Sequence, residues 1–425
     1  MSTTIELQER ALPPHNKIEG GFGLLRQPGI VIFGAGQRAS IAGVVESLGQ
    51  SALLCTDQRM AVSAEFADIV SALKARGVSV SIYADIEAEL PRTNVEDLVQ
   101  RIAGESIDVV VGIGGGSCLD MAKIATVMLT YGGDVASYYG EFKVPGPTLP
   151  LVTVPTTAGT GAEITCIAVI YDPDLEMKIG VASPHLGASV TVIDPEFTLT
   201  CPPGLTAATG ADALSHLIEA FTAKAKNPEP GTVETFVYVG KNSLTDMHCR
   251  AGLELMGTAL ERVVASPSDI DARSDAMLAA MHAGFAINTT GTAAVHALQA
   301  PIGALTHTPH GIGVGTLLPY VMRYNLPTRV PEFASMAELL DVADPGHSEL
   351  ENARAAITRV DEILTALRIP ADLEALGVDS GDIPSIASHA IKATRLTANN
   401  PRELTEESMI RILNKAFTGD RSWWS

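Results

Sequence analysis

The stretch IDVVVGIGGGSCLDMAK (residues 107–123) decides the fold of this chain. It opens with a β-branched run typical of a buried strand and passes through three consecutive glycines into a helical pattern. Glycines let the backbone approach a ligand closely, and the N–H groups at a helix start attract an anion. The stretch therefore predicts a strand–turn–helix unit whose turn, Gly114, Gly115 and Gly116, binds phosphate, with Ser117 as the N-cap of the helix.

Two alternatives to this phosphate site remain open. A plain strand-to-helix turn needs fewer than three glycines but could have this form without any ligand. A second glycine turn, GAGQRA (34–39), also follows a strand and fits the dinucleotide pattern GxGxxA, with Asp57 lying 21 residues after Gly36. Lys123 is not a P-loop lysine, because the GxxxxGK spacing is absent.

Strand-like and helix-like segments alternate around this unit over the first 200 residues. Such alternation with short loops predicts a parallel sheet covered by helices on both faces. The later strands are expected to be partly antiparallel. The predicted strands lie in residues 29–36, 51–57, 78–85, 107–114, 149–157, 163–172 and 188–195.

The pattern changes after CPPG (201–204), where apolar residues recur at helical spacing to the end of the chain. We therefore predict two domains, an α/β nucleotide-binding domain over residues 1–200 and an all-α domain of eight or so helices over residues 201–425. Residues 227–242 are predicted to form a loop inserted between two helices.

Composition narrows the class of protein. The chain has 425 residues and a formal net charge of −20, and no basic cluster offsets that charge, which argues against a nucleic-acid partner. Its five cysteines form no CxxC pair, which favours a reducing compartment. No apolar run approaches a membrane span, and MSTTIELQERALPP (1–14) has no signal-peptide pattern. We therefore expect a cytoplasmic protein.

A second polar patch, PTTAGTGAE (155–163), follows a predicted strand and offers the hydroxyls of Thr156, Thr157 and Thr160. Open α/β sheets bind ligands at this end of their strands, so the patch is interpreted as the far wall of a nucleotide cleft. Asp57 ends the second strand, where a carboxylate accepts from ribose hydroxyls and repels a 2′-phosphate; this favours NAD over NADP. The alternative for Asp57 is a helix or turn cap.

Two segments of the second half carry candidate metal ligands. In GADALSHLIEAF (210–221), Asp212 and His216 are four residues apart and share one face of an apolar helix. In VHALQAPIGALTHTPHGIG (295–313), His296 and His310 could complete a shell of one carboxylate and three imidazoles. That set suits Fe(II) or Zn(II) with positions left for a substrate oxygen. Taken singly, each of these residues is as well explained as a surface pair or a core histidine.

Together, GGGSCLDMAK, PTTAGTGAE, TCPPGLTAATGADALSHLIEAF and VHALQAPIGALTHTPHGIGVGTLLPYVMRYN resemble the iron-containing (group III) alcohol dehydrogenases over about residues 22–418. The resemblance implies a dehydroquinate synthase-like fold, with NAD bound by the α/β domain and hydride chemistry at a metal in the cleft. It implies metal ligation by Asp212, His216, His296 and His310. It also implies cofactor contacts from Asp57, Gly115, Gly116, Thr157, Thr160 and Lys178, with Asp120 nearby.

The chain departs from the family pattern at one position. Many members carry a second histidine four residues after the first in this segment, where this chain has Ala300. That histidine usually lines the substrate pocket and is often given a proton-relay role. His307 is a candidate replacement, although helix packing or capping explains it equally well.

The resemblance therefore implies an NAD-dependent alcohol dehydrogenase or aldehyde reductase, expected to be a homo-oligomer. The insertion at 227–242 is similar to a longer loop in the hydroxyacid–oxoacid transhydrogenases, which makes a transhydrogenase with retained NAD(H) the main alternative. A non-catalytic protein that kept the fold is opposed by the complete ligand set. Elimination chemistry of the dehydroquinate synthase type is opposed by the lack of a basic cluster near the metal segment.

Overall fold

The computed structural model describes residues 22–175 and 177–422. The N-terminal segment on which the signal-peptide expectation rests lies outside these residues. The main sheet has the strand order β1-β9-β6-β4-β2-β3, and every pair in it is parallel. The strands are β1 Ile30–Phe33, β2 Ser51–Cys55, β3 Ser79–Tyr83, β4 Val109–Gly114, β5 Gly140–Glu141, β6 Leu151–Pro155, β7 Ile167–Asp172, β8 Met177–Ala182 and β9 Val190–Ile193.

Helices cover both faces of this sheet and form the second half of the chain. Those of the first half are α1 Ile41–Leu48, α2 Gln58–Ala61, α3 Ala64–Ala75, α4 Arg92–Arg101 and α5 Gly116–Tyr131. Those of the second half are α6 Pro203–Thr222, α7 Ser243–Ala265, α8 Ile270–Thr290, α9 Ala294–Thr306, α10 His310–Asn325, α11 Val330–Leu339, α12 Glu349–Ala366, α13 Ile383–Ala390, α14 Thr394–Thr397 and α15 Glu406–Phe417.

Strand β4 lies inside the sheet, and all six of its residues are buried. Helices pack on both faces of a parallel sheet, so such a strand needs apolar side chains on both sides, which the run of valines supplies. Gly114 at the end of β4 is in register with Pro155 at the end of β6, and β2 pairs with the other edge of β4. The loops after β2, β4 and β6 therefore meet at one edge of the sheet, as predicted.

The expectation that the later strands join this sheet partly antiparallel is wrong for one of them. Residues 167–172 form β7, which pairs antiparallel with β8 in a separate three-stranded sheet with β5. Strand β9 is parallel to both β1 and β6. An alternating pattern marks β7 as a strand but does not specify its partner, because pairing depends on the geometry of the connecting turn.

The second half is helical, as predicted, with ten α-helices in its described part rather than eight or so. They enclose a hydrophobic cluster that extends from Ala207 to Ala416. The last strand ends at Ile193 and α6 begins at Pro203, so the proposed domain boundary at 200/201 falls in the connector between them. Among the described residues, none of the helices combines the length and the hydropathy that crossing a membrane requires.

Candidate metal and nucleotide site

Helix α6 presents three buried polar side chains on one face. Asp212, His216 and Glu219 are spaced four and three residues apart, and each is at most 5% exposed. Helical periodicity brings such positions into one row. A buried polar row costs free energy unless its members have partners, so the row must face a polar site inside the helical domain.

Helix α9 places His296 beside this row, in contact with Glu219. The two oxygens of the Glu219 carboxylate divide their roles: Oε1 accepts from the Val295 N–H at 2.7 Å, and Oε2 lies 2.5 Å from His296 Nδ1. The residue before α9, Ala293, has no capping side chain, so a carboxylate from another helix caps it instead. Because Nδ1 is engaged, the His296 Nε2 atom faces Asp212.

Helix α10 starts at His310, as predicted, and packs closely on α6. The next residue, Gly311, makes this approach possible, because a Cβ there would lie 2.0 Å from the Ala208 carbonyl oxygen. Any larger residue would push the start of α10 away from α6. The glycine thereby allows the His310 side chain to reach Asp212.

Asp212, His296 and His310 form one cluster, in which a ligand atom of each residue lies within 4.8 Å of the other two. His216 is outside this cluster and adjoins it through Asp212 and His296. The Asp212 Oδ1 atom lies 3.6 Å from the Nε2 atoms of His216, His296 and His310, and the first two Nε2 atoms are 3.0 Å apart. Two ligand atoms on one tetrahedral ion with bonds of about 2.1 Å would lie ~3.4 Å apart. Oδ1 is buried and has no hydrogen-bond partner among the described residues. An orphaned carboxylate oxygen amid imidazole nitrogens fits a bound cation.

The charge states of Asp212 and of two of the three histidines also suit a cation. Burial lowers the pKa of His310 to about 3 and lowers that of His216, so both rings are neutral and can donate a lone pair. Burial alone would raise the pKa of Asp212, but the three histidines lower it well below the usual range. Burial would also lower the pKa of His296, yet Glu219 and Asp212 raise it to about 9.

The predicted phosphate turn, residues 114–116, packs against the polar patch of residues 155–163. Gly115 faces Thr157 and Gly116 faces Thr160; a Cβ at Gly116 would lie 2.9 Å from the Thr160 Cγ2 atom. Gly114 has a φ of +154°, and a Cβ there would lie 2.5 Å from the Cys118 sulfur. Glycine is therefore required for the packing of the turn itself as well as for the approach of a ligand.

Two residues of this region depart from the predictions. Ser117 is not the N-cap of α5, because the helix begins at Gly116 and its N-cap is Gly115, which has no side chain to accept a hydrogen bond. Thr156 is fully buried rather than open to the cleft. The competing turn at Gly34 and Gly36 follows the edge strand β1, which two strands separate from β4, and its backbone is held by Asp194.

Asp57 is a helix cap, the structural one of its two interpretations, and its contact with a ribose stays a prediction. Its Oδ1 atom accepts from the Met60 N–H at 2.7 Å and caps α2. Its Oδ2 atom lies 3.9 Å from the sulfur of Cys118, at the start of α5. The carboxylate is thus a helix cap that also stands beside the glycine turn.

Asp120 and Lys178 lie where α5 packs on the hairpin of β7 and β8. Asp120 accepts from the Val169 N–H at 2.9 Å and from Lys123, which is fully buried and also donates to the Ile167 carbonyl. These contacts tie α5 to β7, so Asp120 positions the hairpin. Lys178 on the neighbouring strand β8 pairs with Glu89, and its charge reaches His310, adding to the burial that lowers the pKa of that ring.

Ala300 and His307 lie on the exposed side of α9. Ala300 is one turn after His296 and is exposed. His307 follows the last residue of α9 with a left-handed φ of +56°, the conformation of a C-cap, and its ring is exposed. In the described part of the chain, the ligand cluster of Asp212, His296 and His310 does not include His307.

Glu219 is the residue of this site that the sequence interpretation missed. It lies seven residues after Asp212 and three after His216, so the same spacing argument that linked those two would have included it. A glutamate inside an otherwise apolar run was the available indication.

Comparison with known proteins gives matches over nearly the whole chain. The family model described as iron-containing alcohol dehydrogenase matches residues 28–195, and that of the C-terminal domain of the same family matches residues 232–417. All of α6, with Asp212 and His216, lies between the two matched ranges. The placement of these two proposed ligands is therefore an observation independent of both matches.

Individual relatives agree with the family models. The 1,3-propanediol dehydrogenase of Klebsiella pneumoniae is 33% identical over 90% of this chain and 94% of its own length. A crystal structure of 1,3-propanediol oxidoreductase superposes with a TM-score of 0.87 at 31% identity, over 93% of this chain and all of the other. Sulfoacetaldehyde reductase from Bifidobacterium kashiwanohense, solved in complex with NAD+, gives 0.80 at 26% identity, over 94% of this chain and all of the other.

Proposed function

Because the chain belongs to the family of iron-containing alcohol dehydrogenases, we propose that it is an NAD-dependent oxidoreductase acting on an alcohol or its aldehyde at a divalent metal. The observation that carries the proposal is the position of Asp212 Oδ1, buried without a hydrogen-bond partner among the described residues and 3.6 Å from three imidazole nitrogens. Fe(II) is the expected ion, and Zn(II) would suit the same ligands.

The residues of the site have separate roles in this proposal. The ion would supply Lewis acidity toward the substrate oxygen, and NAD(H) would supply the hydride acceptor or donor. Asp212, His216, His296 and His310 would hold the ion. Glu219 would orient His296, as carboxylates commonly orient metal-bound histidines. The turns of residues 114–117 and 156–160 would bind the dinucleotide, with Asp57 facing the ribose.

Proton transfer to solvent needs a route that does not pass through residue 300, because alanine cannot carry a proton. Water, a ribose hydroxyl and His307 are the three routes we propose. Replacement of His307 by asparagine, which tolerates the left-handed C-cap conformation, distinguishes the His307 route from the other two. A fall in kcat that added imidazole restores would assign the route to His307, and an unchanged kcat would assign it to water or the ribose.

The experiment that tests the function combines metal analysis with a screen for NAD reduction over alcohols and hydroxyacids. The proposal expects about one metal ion per chain and activity that a chelator removes. His296→Ala protein should lose both metal and activity and still bind NAD, because the nucleotide turns lie in the other half of the chain. Full activity of that variant would refute the metal assignment.

A hydroxyacid–oxoacid transhydrogenase is the second candidate. The insertion between α6 and α7, residues 227–242, is the feature that favours it. This segment packs on the N-terminal half of the chain, where Arg26 donates to the carbonyls of Val233 and Val237. An enzyme of this kind keeps its cofactor, so NAD(H) retained through gel filtration would support it, whereas rapid exchange with free NAD would exclude it. The same column would test the proposed homo-oligomer, a dimer or larger.

A further inference from the structure

Arg273 is a buried cation without a counter-ion. It lies in the first turn of α8 and is 3% exposed. Its Nε atom donates to the Pro267 carbonyl at 3.0 Å and its Nη1 atom to the Thr206 hydroxyl at 2.9 Å. Its Nη2 atom is buried and has no hydrogen-bond partner within residues 22–175 and 177–422. Burying an unpaired charge is costly, so a guanidinium of this kind calls for an anion.

The guanidinium borders a small cavity between the connector and the helical domain. The cavity volume is about 10 Å³, which is room for one water-sized species. Its lining includes Thr198 and Cys201 from the connector, Thr206 and Thr209 from α6, and Ala158 from the turn that faces the nucleotide glycines. A volume of this size suits a water or a monatomic ion better than a phosphate or a carboxylate.

The N-termini of α6 and α8 make the electrostatic potential at this cavity more positive. Thr206 lies in the first turn of α6, and Arg273 lies in the first turn of α8. The N-terminus of a long helix carries about half a positive charge, so two such ends and a guanidinium meet here. Helix α6 also has no side-chain cap, because its N-cap is Pro202. Asp269 caps the α8 end, so a neutral water would leave the guanidinium and the uncapped end of α6 uncompensated.

No side chain lining the cavity supplies the missing negative charge. The Cys201 thiol donates to the Thr156 carbonyl at 3.3 Å and is therefore protonated, and burial raises its pKa. The hydroxyls of Thr198 and Thr209 donate to backbone carbonyls. Asp269, the cap of α8, accepts from the Ala272 N–H and pairs with Arg262.

We propose that this cavity binds a monatomic anion, chloride, held by the Nη2 group of Arg273. The anion would neutralise the charge shared by the two helix ends and the guanidinium. The anion would also link the connector between Ile193 and Pro203 to helices α6 and α8. This position is directly behind the turn of residues 156–160. Its occupancy should therefore stabilise the fold, independently of whether metal or NAD is bound.

Thermal unfolding of the full chain in matched concentrations of sodium chloride and sodium gluconate tests the proposal. Chloride, but not gluconate, should raise the midpoint by a few degrees and then saturate, as a ligand specific for the folded state does. Arg273→Met, which keeps the length of the side chain and removes its charge, should abolish this difference. The control is Arg262→Met, a half-exposed arginine of α7 that pairs with Asp269 and Asp275, and it should keep the difference.

Crystals of the wild-type protein soaked in bromide give a second readout, which decides the matter if Arg273→Met does not fold. An anomalous peak within contact distance of Arg273 Nη2 is expected. An ordered water there with no anomalous signal would overturn the proposal. So would a chloride effect of equal size in wild type and Arg273→Met, because the effect would then come from another part of the surface.

Discussion

Glu219 holds the imidazole of His296 in place, with Oε2 2.5 Å from Nδ1, while its other oxygen caps the helix on which that histidine lies. One carboxylate thus sets both the position of helix α9 and the orientation of a proposed ligand. The geometry of the proposed ligands thus depends on a residue that is not itself a proposed ligand.

Glu219→Gln should lower the affinity for the metal by about 10–100-fold, because an amide has one acceptor oxygen where the carboxylate uses two and carries no charge to stabilise the ring. Competition with a chelator measures this affinity directly. Glu254→Gln, at an exposed position of α7, is the matched control and should leave the affinity unchanged. Equal affinity for the metal in wild type and Glu219→Gln would refute the orienting role of Glu219.

Gly311→Ala should destabilise the fold by about 1–3 kcal/mol, the usual range for overpacking, and should also weaken metal binding. The added Cβ would lie 2.0 Å from the Ala208 carbonyl oxygen and would force the start of α10, with His310, away from Asp212. Denaturant unfolding and metal content measure the two effects. Gly381→Ala, where a Cβ meets nothing within 4 Å, should change neither.

Asp57→Ser should raise the ratio of kcat/KM for NADP over NAD by roughly tenfold or more, because serine can still cap α2 while the charge that repels a 2′-phosphate is lost. Steady-state kinetics with both cofactors checks this prediction. Asp68→Ser removes an equal charge from an exposed position of α3 and should leave the ratio as it is. An unchanged ratio in Asp57→Ser would mean that another residue selects the cofactor.

His282 should make the fold less stable as the pH falls from 6.5 toward 4. Burial, together with His248, whose Nδ1 atom is 2.9 Å from its own, lowers the pKa of His282 to about 4. The folded pKa lies below the unfolded value, so the unfolded chain binds the proton more tightly and the stability is lost on acidification. Allowing for the partial exposure of the ring, the loss should be about 1–2 kcal/mol.

Denaturant unfolding of His282→Gln as a function of pH checks this loss. The variant should show a flatter dependence of stability on pH than wild type between 6.5 and 4. His389→Gln, at an exposed site of α13, should follow the wild-type curve. A wild-type slope in His282→Gln would show that the lost stability comes from other groups.

Much of the α/β half follows from local sequence. The valines of β4 require burial on both faces of a sheet, and the three glycines after it allow a close turn into α5. Neighbouring parallel strands end at one edge, so the meeting of the glycine turn with Thr157 and Thr160 was also predictable. The N-cap at Ser117 was misplaced because a shift of two residues at a helix start leaves the apolar pattern unchanged.

The sequence by itself determined which segments are strands and helices and which residues could ligate a metal, because periodicity and side-chain chemistry are local properties. Only the tertiary structure decided that Asp212 lies 3.6 Å from His296 and His310, which are more than 80 residues away in the chain. That distance depends on the close approach of α10 at Gly311 and on the contact from Glu219. Both are packing contacts between separate helices, and no local pattern encodes the partner of a buried side chain.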